Sequence, residues 1–522
     1  MQKSLLLLYI LLSITISAFG YSVNVPMDYW GYDFFDRCET KGLCSSLDLR
    51  VKPISRMAAA KIILTIKKNA AEHPDRFSKT DQAQLDQIEG DFIDELQQLD
   101  ANFKVRVAER HFLSHRENNS QVYVDLVASE KIIANNGPQY DPNQHISETT
   151  AGGIIRGQLG ETIGFFAEAR NSLIRGVDYE HESFDVSQGS PVVLSGSNAY
   201  SDRATAYFIW EKPWLRFEIG RDEMAWGPGY HSGLSLSGNV PPADLIKLRT
   251  RFNRFAFTSV HMFLNNSLGS KYLAGHRLDV ELIRGLQVGA TETVVYGDRD
   301  LELDYLNPLM LYHVAEHHLG DKDNNTMSVD FVLDRFPGMK IYGEWFIDDM
   351  TSAESLTGYF GNKFAFLTGI YLAGPLHIPD LDIRLEYSRV EPFVYSHKDS
   401  INIYSHYDKS IGHWLGSNAD DLYFLAGYQF NRDVRAELTV ERIRKGTGAL
   451  STVDRPASGY HKEFLGGTVE NKNLFGVKLI DQIRRDLFIS VSYTYSRGRD
   501  LEQTPDFNSN DHLARFELYL NY

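Results

Sequence analysis

The sequence predicts an outer-membrane β-barrel of about 18 antiparallel strands, with a small α-helical module before it. Three observations favour this fold class. The last ten residues, Leu513 to Tyr522, alternate apolar and polar side chains and end on an aromatic ring. The same alternation recurs in many earlier segments. The connections between these segments alternate between tight turns and long polar loops, as the two rims of an outer-membrane barrel do.

The terminal segment has the two faces of a membrane strand. Successive side chains of an extended chain point to opposite faces. One face therefore carries Ala514, Phe516, Leu518, Leu520 and Tyr522. The segment matches the roughly 9–11 residues that a tilted strand needs to cross a bilayer. We therefore expect the other period-two segments to be crossings of the same kind.

The chain begins with a predicted secretory signal peptide, Met1 to Gly20. It has Lys3 near its start, an apolar run from Leu5 to Leu12 and small residues at its end, which predicts cleavage before Tyr21. Beyond it, no stretch reaches the roughly 20 apolar residues of a membrane helix, and the mean hydropathy is −0.30. A membrane location therefore requires strands, because only helices and closed barrels satisfy the backbone in lipid.

The net charge and the two cysteines limit which partners and which cysteine chemistry are expected. The formal charge of −16 argues against a nucleic-acid partner, which requires a basic surface. Cys38 and Cys44 have five residues between them, and in an exported chain this favours a disulfide over a metal pair. A thioredoxin-type redox pair has two intervening residues, so that chemistry is not expected. No cofactor and no metal site are predicted.

Residues 21–102 are predicted to form a periplasmic helical module. One helix is expected to begin after Pro53 with Ser55 as its cap. A second is expected from Thr80 to Leu99, with an apolar stripe along one face. The stretches VPMDYWGYDFFDRCETKGLC and PISRMAAAKII resemble an S-layer-homology repeat, which implies binding to a cell-wall polymer. The Glu usual in that repeat is absent, since Ala58 stands at its position, so a helical plug or adaptor is favoured over this binding.

Residues 103–522 contain the period-two segments of the predicted barrel. Seventeen are recognised: 123–127, 154–159, 164–169, 206–210, 215–219, 252–260, 278–283, 286–296, 327–333, 341–347, 364–372, 383–390, 422–430, 434–443, 475–480, 488–495 and 513–522. Tight turns are predicted at Lys212-Pro213 and Arg284-Gly285. Both turns must lie on one rim, but an odd number of recognised segments separates them. We therefore predict an additional strand between Asp222 and Tyr272, near Gly233 to Gly238, which gives an even total.

The stretch Glu218 to Ser237 (EIGRDEMAWGPGYHSGLSLS) is the most unusual in the chain. Its Gly-Pro-Gly core predicts a turn, with aromatic and charged residues on either side. Aromatic rings beside a charged pair suit a carbohydrate site, and a rigid bend packed at a barrel rim is the alternative. The candidate binding residues are Arg221, Asp222, Trp226 and Tyr230.

Three groups of motifs make most of the mature chain resemble the capsule assembly protein Wzi family. They are GRDEMAWGPG with SLSGNVPP, NPLMLYH with YGEWFIDD, and GHWLGSNADD. The resemblance implies a barrel with a helical periplasmic segment, which acts as a surface lectin and holds capsular polysaccharide or exopolysaccharide at the cell. Further candidate contacts are His413, Trp414, Asp420 and Asp421.

The expected mechanism is non-catalytic. Aromatic rings would stack on sugars, and Arg or Lys side chains would pair with sugar carboxylates. The partners expected are the surface polysaccharide, outer-membrane lipid and lipopolysaccharide, and a cell-wall polymer at the N-terminal module. A channel or porin is the alternative, because a wide barrel can leave an aqueous lumen.

Two stretches contain residue types found in catalytic or metal sites. HVAEHH at 313–318 lacks the HExxH order of a zinc helix, so a short loop helix is expected there. His413, with Asp420 and Asp421 downstream, has no serine in a GxSxG context. No catalytic residue is therefore predicted.

Overall fold

The computed structural model describes residues 22–106, 111–137, 144–160, 162–176, 192–195, 198–351, 358–448, 451–457 and 459–521. The predicted signal peptide, Met1 to Gly20, lies outside the described residues. Within them, residues 22–102 form a helical segment, and a closed antiparallel barrel follows it. None of the helices in these ranges has the length and apolar character needed to cross a membrane.

The barrel wall has eighteen long strands in the described part of the chain. They are β1 (Ser120–Asn136), β2 (Gln144–Leu159), β3 (Ile163–Arg175), β4 (Asn198–Lys212), β5 (Leu215–Asp222), β6 (Ala243–Phe252), β7 (Phe255–Leu264), β8 (Lys271–Ile283), β9 (Leu286–Gly297), β10 (Asn324–Phe336), β11 (Met339–Met350), β12 (Asn362–Ala373), β13 (Leu381–Val390), β14 (Ala419–Gln429), β15 (Val434–Lys445), β16 (Glu470–Arg484), β17 (Leu487–Arg499) and β18 (Ser509–Asn521). Strand β18 pairs with β1, with Phe516 opposite Ile132, and this pairing closes the cylinder. Short strands at Leu113–Glu117 and Val192–Ser195 pair with β1 and β4.

The wall is apolar outside and charged inside. Large apolar side chains on its outer face, each 47–59% exposed, include Phe208, Val329, Leu438, Val477 and Val491. The alternate residues face the lumen, where Arg277 is fully buried between Asp279 and Asp330 at 2.7 and 2.5 Å. An apolar outer band around a polar interior is the pattern of transmembrane barrels. The predicted fold class is confirmed.

The additional strand exists, but its predicted position was wrong. It is β6, Ala243–Phe252, which pairs with β5 and β7. Gly233 to Gly238 instead lies inside the lumen. Strand β6 was missed because Leu245 is buried on the inward face, where an alternating pattern calls for a polar residue. The run Leu245-Ile246 therefore hides the period of two.

Connection lengths divide the barrel into two rims. The connections 160–162, 213–214, 253–254, 284–285, 337–338, 374–380, 430–433 and 485–486 form the short-turn rim. The intervening connections form the long-loop rim, and the largest are 176–197, 223–242, 298–323, 391–418 and 446–469. Two short helices, α5 (Leu303–Leu306) and α6 (Tyr312–Leu319), lie in the third of these loops. Helix α6 is the short helix predicted for HVAEHH.

Four α-helices precede the barrel among the described residues: α1 (Gly31–Thr40), α2 (Arg56–Glu72), α3 (Lys79–Asp91) and α4 (Ile93–Leu99). Ser55 caps α2 as predicted, because its Oγ accepts a hydrogen bond of 3.0 Å from the Ala58 amide. The single helix expected from Thr80 to Leu99 was wrong. Phe92 interrupts it with a non-helical backbone at φ −116° and ψ 23°, and its ring is fully buried.

Helix α1 was not predicted as a helix. Trp30 at its N-terminus provides no side-chain cap, so the usual sequence signal for a helix start is absent.

Cys38 of α1 and the nearby Cys44 are both buried free thiols in the structure, and burial raises the pKa of both well above the usual value. The disulfide between them stays a prediction.

Buried ion pairs attach the helical segment to the short-turn rim. Lys340 of β11 pairs with Asp36 and, at 2.9 Å, with Glu39. Arg384 of β13 pairs with Asp36 at 2.6 Å. The amide of Gly338 in a short turn donates a hydrogen bond of 2.8 Å to the Thr40 carbonyl. The helical segment therefore covers this end of the lumen.

Removing one of these buried charges should loosen the helical segment. Lys340→Met removes a cation that pairs with the carboxylates of Asp36 and Glu39. Removing one partner of a buried ion pair lowers the free energy of unfolding by on the order of 3 kcal/mol. We expect faster hydrogen–deuterium exchange in α1 of the full-length protein. Arg106→Met is the matched control, because the Arg106 side chain is 79% exposed in its pair with Asp86, and exposed pairs contribute little. Unchanged exchange in Lys340→Met would contradict this docking.

Candidate functional site

Residues 223–242, which we name the inner loop, fold into the lumen between β5 and β6. Trp226, Leu234 and Leu236 in it are at most 2% exposed. Trp226 pairs with Val51 in a short two-stranded sheet, and the Gly227 amide donates to the Arg50 carbonyl at 3.0 Å. The inner loop thus meets the helical segment inside the barrel.

Two inward-facing glutamates hold the inner loop against the wall. Glu386 of β13 accepts hydrogen bonds from the backbone amides of Tyr230 and His231, at 2.8 and 3.0 Å. Glu344 of β11 accepts from the Leu234 amide at 3.1 Å and from the Ser235 hydroxyl at 2.6 Å. Buried amides need such acceptors, so these carboxylates fix the loop backbone. Their role in the structure is to support the loop.

Residues 391–418, which we name the second inner loop, complete the packing from the long-loop rim. Tyr395 and Tyr404 in it are fully buried and stack at 5.6 Å. The Tyr395 hydroxyl donates to the Leu234 carbonyl at 2.7 Å and accepts from the His413 amide at 3.1 Å. Burial lowers the pKa of His413 to about 3. His413 is therefore a neutral packing residue at pH 7.

Strand geometry separates two of the predicted residue pairs. Arg221 lies on the outer face of β5 and pairs with Asp244 at 2.8 Å, whereas Asp222 is buried inside, where the Asn24 amide group donates to it at 2.7 Å. Asp420 points outward and accepts from Arg444 at 2.9 Å, whereas Asp421 faces the lumen. Consecutive residues in a strand point to opposite faces, so adjacent charges do not share a site.

The structure does bring Trp414 and Asp421 together, around a residue that the sequence did not single out. His231 of the inner loop stacks on Tyr423 at 4.0 Å and meets the edge of Trp414 at 6.2 Å. Its Nε2 lies 3.4 Å from Asp421 and 3.1 Å from Glu441. We name His231, Asp421 and Glu441 the lumen cluster. Trp414, which is 39% exposed, lies beside it.

Tyr230 lies deeper, against the charges that dock the helical segment. The Arg384 guanidinium lies 3.9 Å from the centre of its ring, and the Tyr230 ring is 6.5 Å from that of Tyr423. Trp226 is 2% exposed. Of the predicted aromatic contacts, Trp414 is the one with a substantial free surface.

A second aromatic group lies on the long-loop rim. Tyr359 and Phe360 precede β12, and the Tyr460 ring lies roughly parallel to both at 6.5 and 6.2 Å. Tyr460 is 68% exposed. The Arg455 guanidinium lies 5.8 Å from the Phe360 ring. We name Tyr359, Phe360, Arg455 and Tyr460 the rim cluster.

Backbone contacts hold the rim cluster in place. The Phe360 amide donates to the Tyr460 carbonyl at 3.0 Å, and the Lys462 amide donates to the Gly358 carbonyl at 2.8 Å. The buried Lys462 ammonium pairs with Glu391 at 2.6 Å. A cavity of about 250 Å³ next to His461 is lined by residues of the loop 446–469 and of the second inner loop, including Phe393, Thr447 and Val453. The backbone contacts give the rings of the rim cluster a preorganised arrangement.

The other half of the lumen contains a polar cavity of about 650 Å³. It is lined from β1 to β4 and from β16 to β18, with Asp28 and Met27 of the helical segment at one side. Several of its charges are already paired, as Lys131 is with Glu148 at 2.9 Å and Arg170 with Asp28 at 3.2 Å. The lumen is therefore packed on one side and open on the other.

Sequence comparison assigns the family. The sequence profile of the family described as capsule assembly protein Wzi matches residues 115–513. That range covers most of the chain and nearly all of the barrel.

The chain belongs to the Wzi capsule assembly family.

The helical segment precedes the range that matches the Wzi family. The S-layer-like resemblance and a cell-wall contact therefore stay predictions. No curated protein sequence matches the chain.

Solved structures resemble the chain in fold. Wzi of Escherichia coli, described as an outer membrane protein involved in group 1 capsule assembly and a carbohydrate-binding β-barrel, superposes with a TM-score of 0.62 at 13% identity and covers 96% of this chain and 99% of that one. OccAB4 of Acinetobacter baumannii superposes with a TM-score of 0.45 at 8% identity, and the match covers 78% of this chain and 99% of that one. OpdK of Pseudomonas aeruginosa reaches 0.44 at 11% identity, over 77% and 98%.

Sequence reasoning missed the rim cluster and His231. The rim residues lie about 100 positions apart in two loops, and no spacing rule connects them. Their one signal is the presence of exposed aromatic side chains in long polar loops. His231 lies within the stretch that was singled out, but its acidic partners are 190 and 210 positions away in β14 and β15.

Trp226 and Trp414 should respond differently to truncation in this Wzi-family barrel. Trp226→Ala removes a buried ring that the inner loop packs around, and such changes cost about 3–5 kcal/mol. We expect a clear fall in the melting temperature of the protein in detergent, whereas Trp414→Ala, at a half-exposed site, leaves it nearly unchanged. Equal melting temperatures for the two variants would contradict the packing described.

Proposed function

We propose that this protein holds a surface polysaccharide at the cell, without catalysis, through the long-loop rim. The observation that carries the proposal is the rim cluster. A highly exposed ring, two flanking rings and a guanidinium lie on loops that are fixed to one another. Membership of a capsule assembly family supports the same function, and so does the likeness in fold to a barrel described as carbohydrate-binding.

The rim cluster suits a sugar chain for physical reasons. The apolar face of a sugar ring can stack on Tyr460 or Phe360, because aromatic side chains combine a large apolar area with little loss of conformational entropy. Arg455 can pair with a sugar carboxylate through two parallel hydrogen bonds. Its present partner is Asp454 at 3.1 Å, an exposed contact that a ligand can replace. Trp414 provides a further ring for a segment that enters the lumen.

In this proposal, the long-loop rim faces outward from the cell and residues 21–102 face the periplasm. The apolar outer wall contacts outer-membrane lipid and lipopolysaccharide. Both ends of the barrel chain support this orientation, because β1 begins and β18 ends at the short-turn rim. Short periplasmic turns and long extracellular loops are the rule for such barrels.

A channel is the second candidate, and the polar cavity of about 650 Å³ favours it. The two inner loops and the helical segment oppose it, because they fill one side of the lumen and cover its short-turn end. Conductance across a planar bilayer distinguishes the two functions.

The proposal is tested in the producing strain by complementing a deletion of the gene. We expect the deletion to move polysaccharide from the cell to the medium. The Phe360→Ala/Tyr460→Ala variant should restore retention only partly, because loss of a stacked ring costs about 1 kcal/mol, several-fold in affinity.

Leu309→Ala is the matched control for the rim variant. Leu309 is an exposed apolar side chain, 83% accessible, on a different long loop, and its truncation should restore retention fully. Polysaccharide that stays attached to the deletion strain would contradict the proposed function.

A further inference from the structure

We propose that the lumen cluster, formed by His231, Asp421 and Glu441, binds one divalent transition-metal ion, with zinc as the most suitable probe. The three residues come from the inner loop, β14 and β15. Each of them offers one ligand atom, and the three atoms lie within 4.8 Å of one another. Neither the family nor the proposed polysaccharide contact calls for this site.

Two distances within the cluster match those between neighbouring ligands of one metal ion. Ligands bound at about 2.0–2.1 Å lie about 2.9–3.4 Å apart when they are neighbours around an octahedral or tetrahedral ion. His231 Nε2 lies 3.1 Å from Glu441 and 3.4 Å from Asp421. An ion can therefore enter with small side-chain adjustments.

Asp421 provides an independent indication of a missing ligand. Its side chain is 3% exposed, and Oδ1 has no hydrogen-bond partner among the described residues. A buried carboxylate oxygen without a partner is costly. The other oxygen, Oδ2, lies 3.4 Å from His231 Nε2, so a cation placed between the two groups would bind this carboxylate and offset the cost of its burial.

Neighbouring residues fix the orientation of the His231 side chain and backbone. The His231 ring is stacked on Tyr423 at 4.0 Å with 7° between the planes, and its backbone amide is held by Glu386 at 3.0 Å. Fixed ligand orientation of this kind is typical of metal sites. The side chains of His231 and Glu441 are 25% and 14% exposed, which leaves a path from solvent and at least one open coordination position.

The donor set selects the ion. One imidazole nitrogen and two carboxylate oxygens suit zinc and its first-row neighbours, whereas calcium and magnesium prefer oxygen ligands throughout. A divalent ion also cancels the two carboxylate charges in this confined site. Calcium at the same concentration should therefore bind far more weakly than zinc.

The test is zinc titration of the full-length protein in detergent, purified without a histidine tag and treated with a chelator. Isothermal titration calorimetry should report one zinc ion in the wild type. Glu441→Gln should weaken that binding at least tenfold, and Asp421→Asn provides a second variant should the first not fold. Visible absorption after cobalt substitution should show bands for the wild type that Glu441→Gln loses.

Two control variants make the test specific. Glu437→Gln alters a carboxylate of the same strand that is paired with Arg435 at 2.7 Å, and zinc affinity should stay within twofold. His317→Gln alters an exposed histidine of α6 whose ring lies 4.4 Å from that of His313. This variant tests whether these two histidines, rather than the lumen cluster, bind the zinc ion. The proposal is overturned if wild-type protein binds no zinc, if Glu441→Gln and Asp421→Asn bind it as well as wild type, or if His317→Gln abolishes it.

Discussion

The structure depends on the closure of β18 onto β1. A sheet in lipid has no water to satisfy its edge amides, so only a closed cylinder leaves none of them exposed. Closure fixes which residues face lipid, because side chains alternate along every strand. It also creates an enclosed lumen, where polar groups pair with one another or with water. The inner loop and the second inner loop, which contain most of the unusual motifs, pack in this lumen.

The lumen is filled by several means. The helical segment covers the short-turn end through buried ion pairs such as Arg384 with Asp36. The inner loop is held by carboxylates that accept its backbone amides, and the second inner loop adds stacked tyrosines. A wide barrel without these elements would be a channel. The second inner loop also helps to anchor the rim cluster, because its Glu391 pairs with Lys462 at 2.6 Å. The inner loop places His231 beside Asp421 and Glu441.

The sequence predicted the barrel well because its signal is local. Alternation within a strand, the tight turns and the requirement for an even strand count are all readable without tertiary contacts, and parity even indicated a strand that the pattern had hidden. The position of β6 was misjudged because Leu245 faces the lumen. The break at Phe92 coincides with a fully buried ring, and burial depends on tertiary packing that the local pattern does not show.

The candidate site was less predictable, because its residues are brought together by contacts between segments that are distant in the sequence. Trp226 and Tyr230 were recognised as unusual, but whether an aromatic ring is buried or free depends on which loop covers it. Arg221 with Asp222, and Asp420 with Asp421, looked like pairs, and strand alternation sends their members to opposite faces. His231 with its acidic partners, and Tyr460 with Phe360, are brought together by loops distant in sequence.

In the proposed orientation, the long-loop rim, with its aromatic cluster, faces the outside of the cell. Cysteine labelling of intact cells tests it most directly, because both native thiols are buried. A membrane-impermeant maleimide should label Tyr460→Cys on intact cells, and should label Arg432→Cys, in a short turn, only after the outer membrane is permeabilised. Labelling of Arg432→Cys but not of Tyr460→Cys on intact cells would contradict the proposed orientation of the barrel.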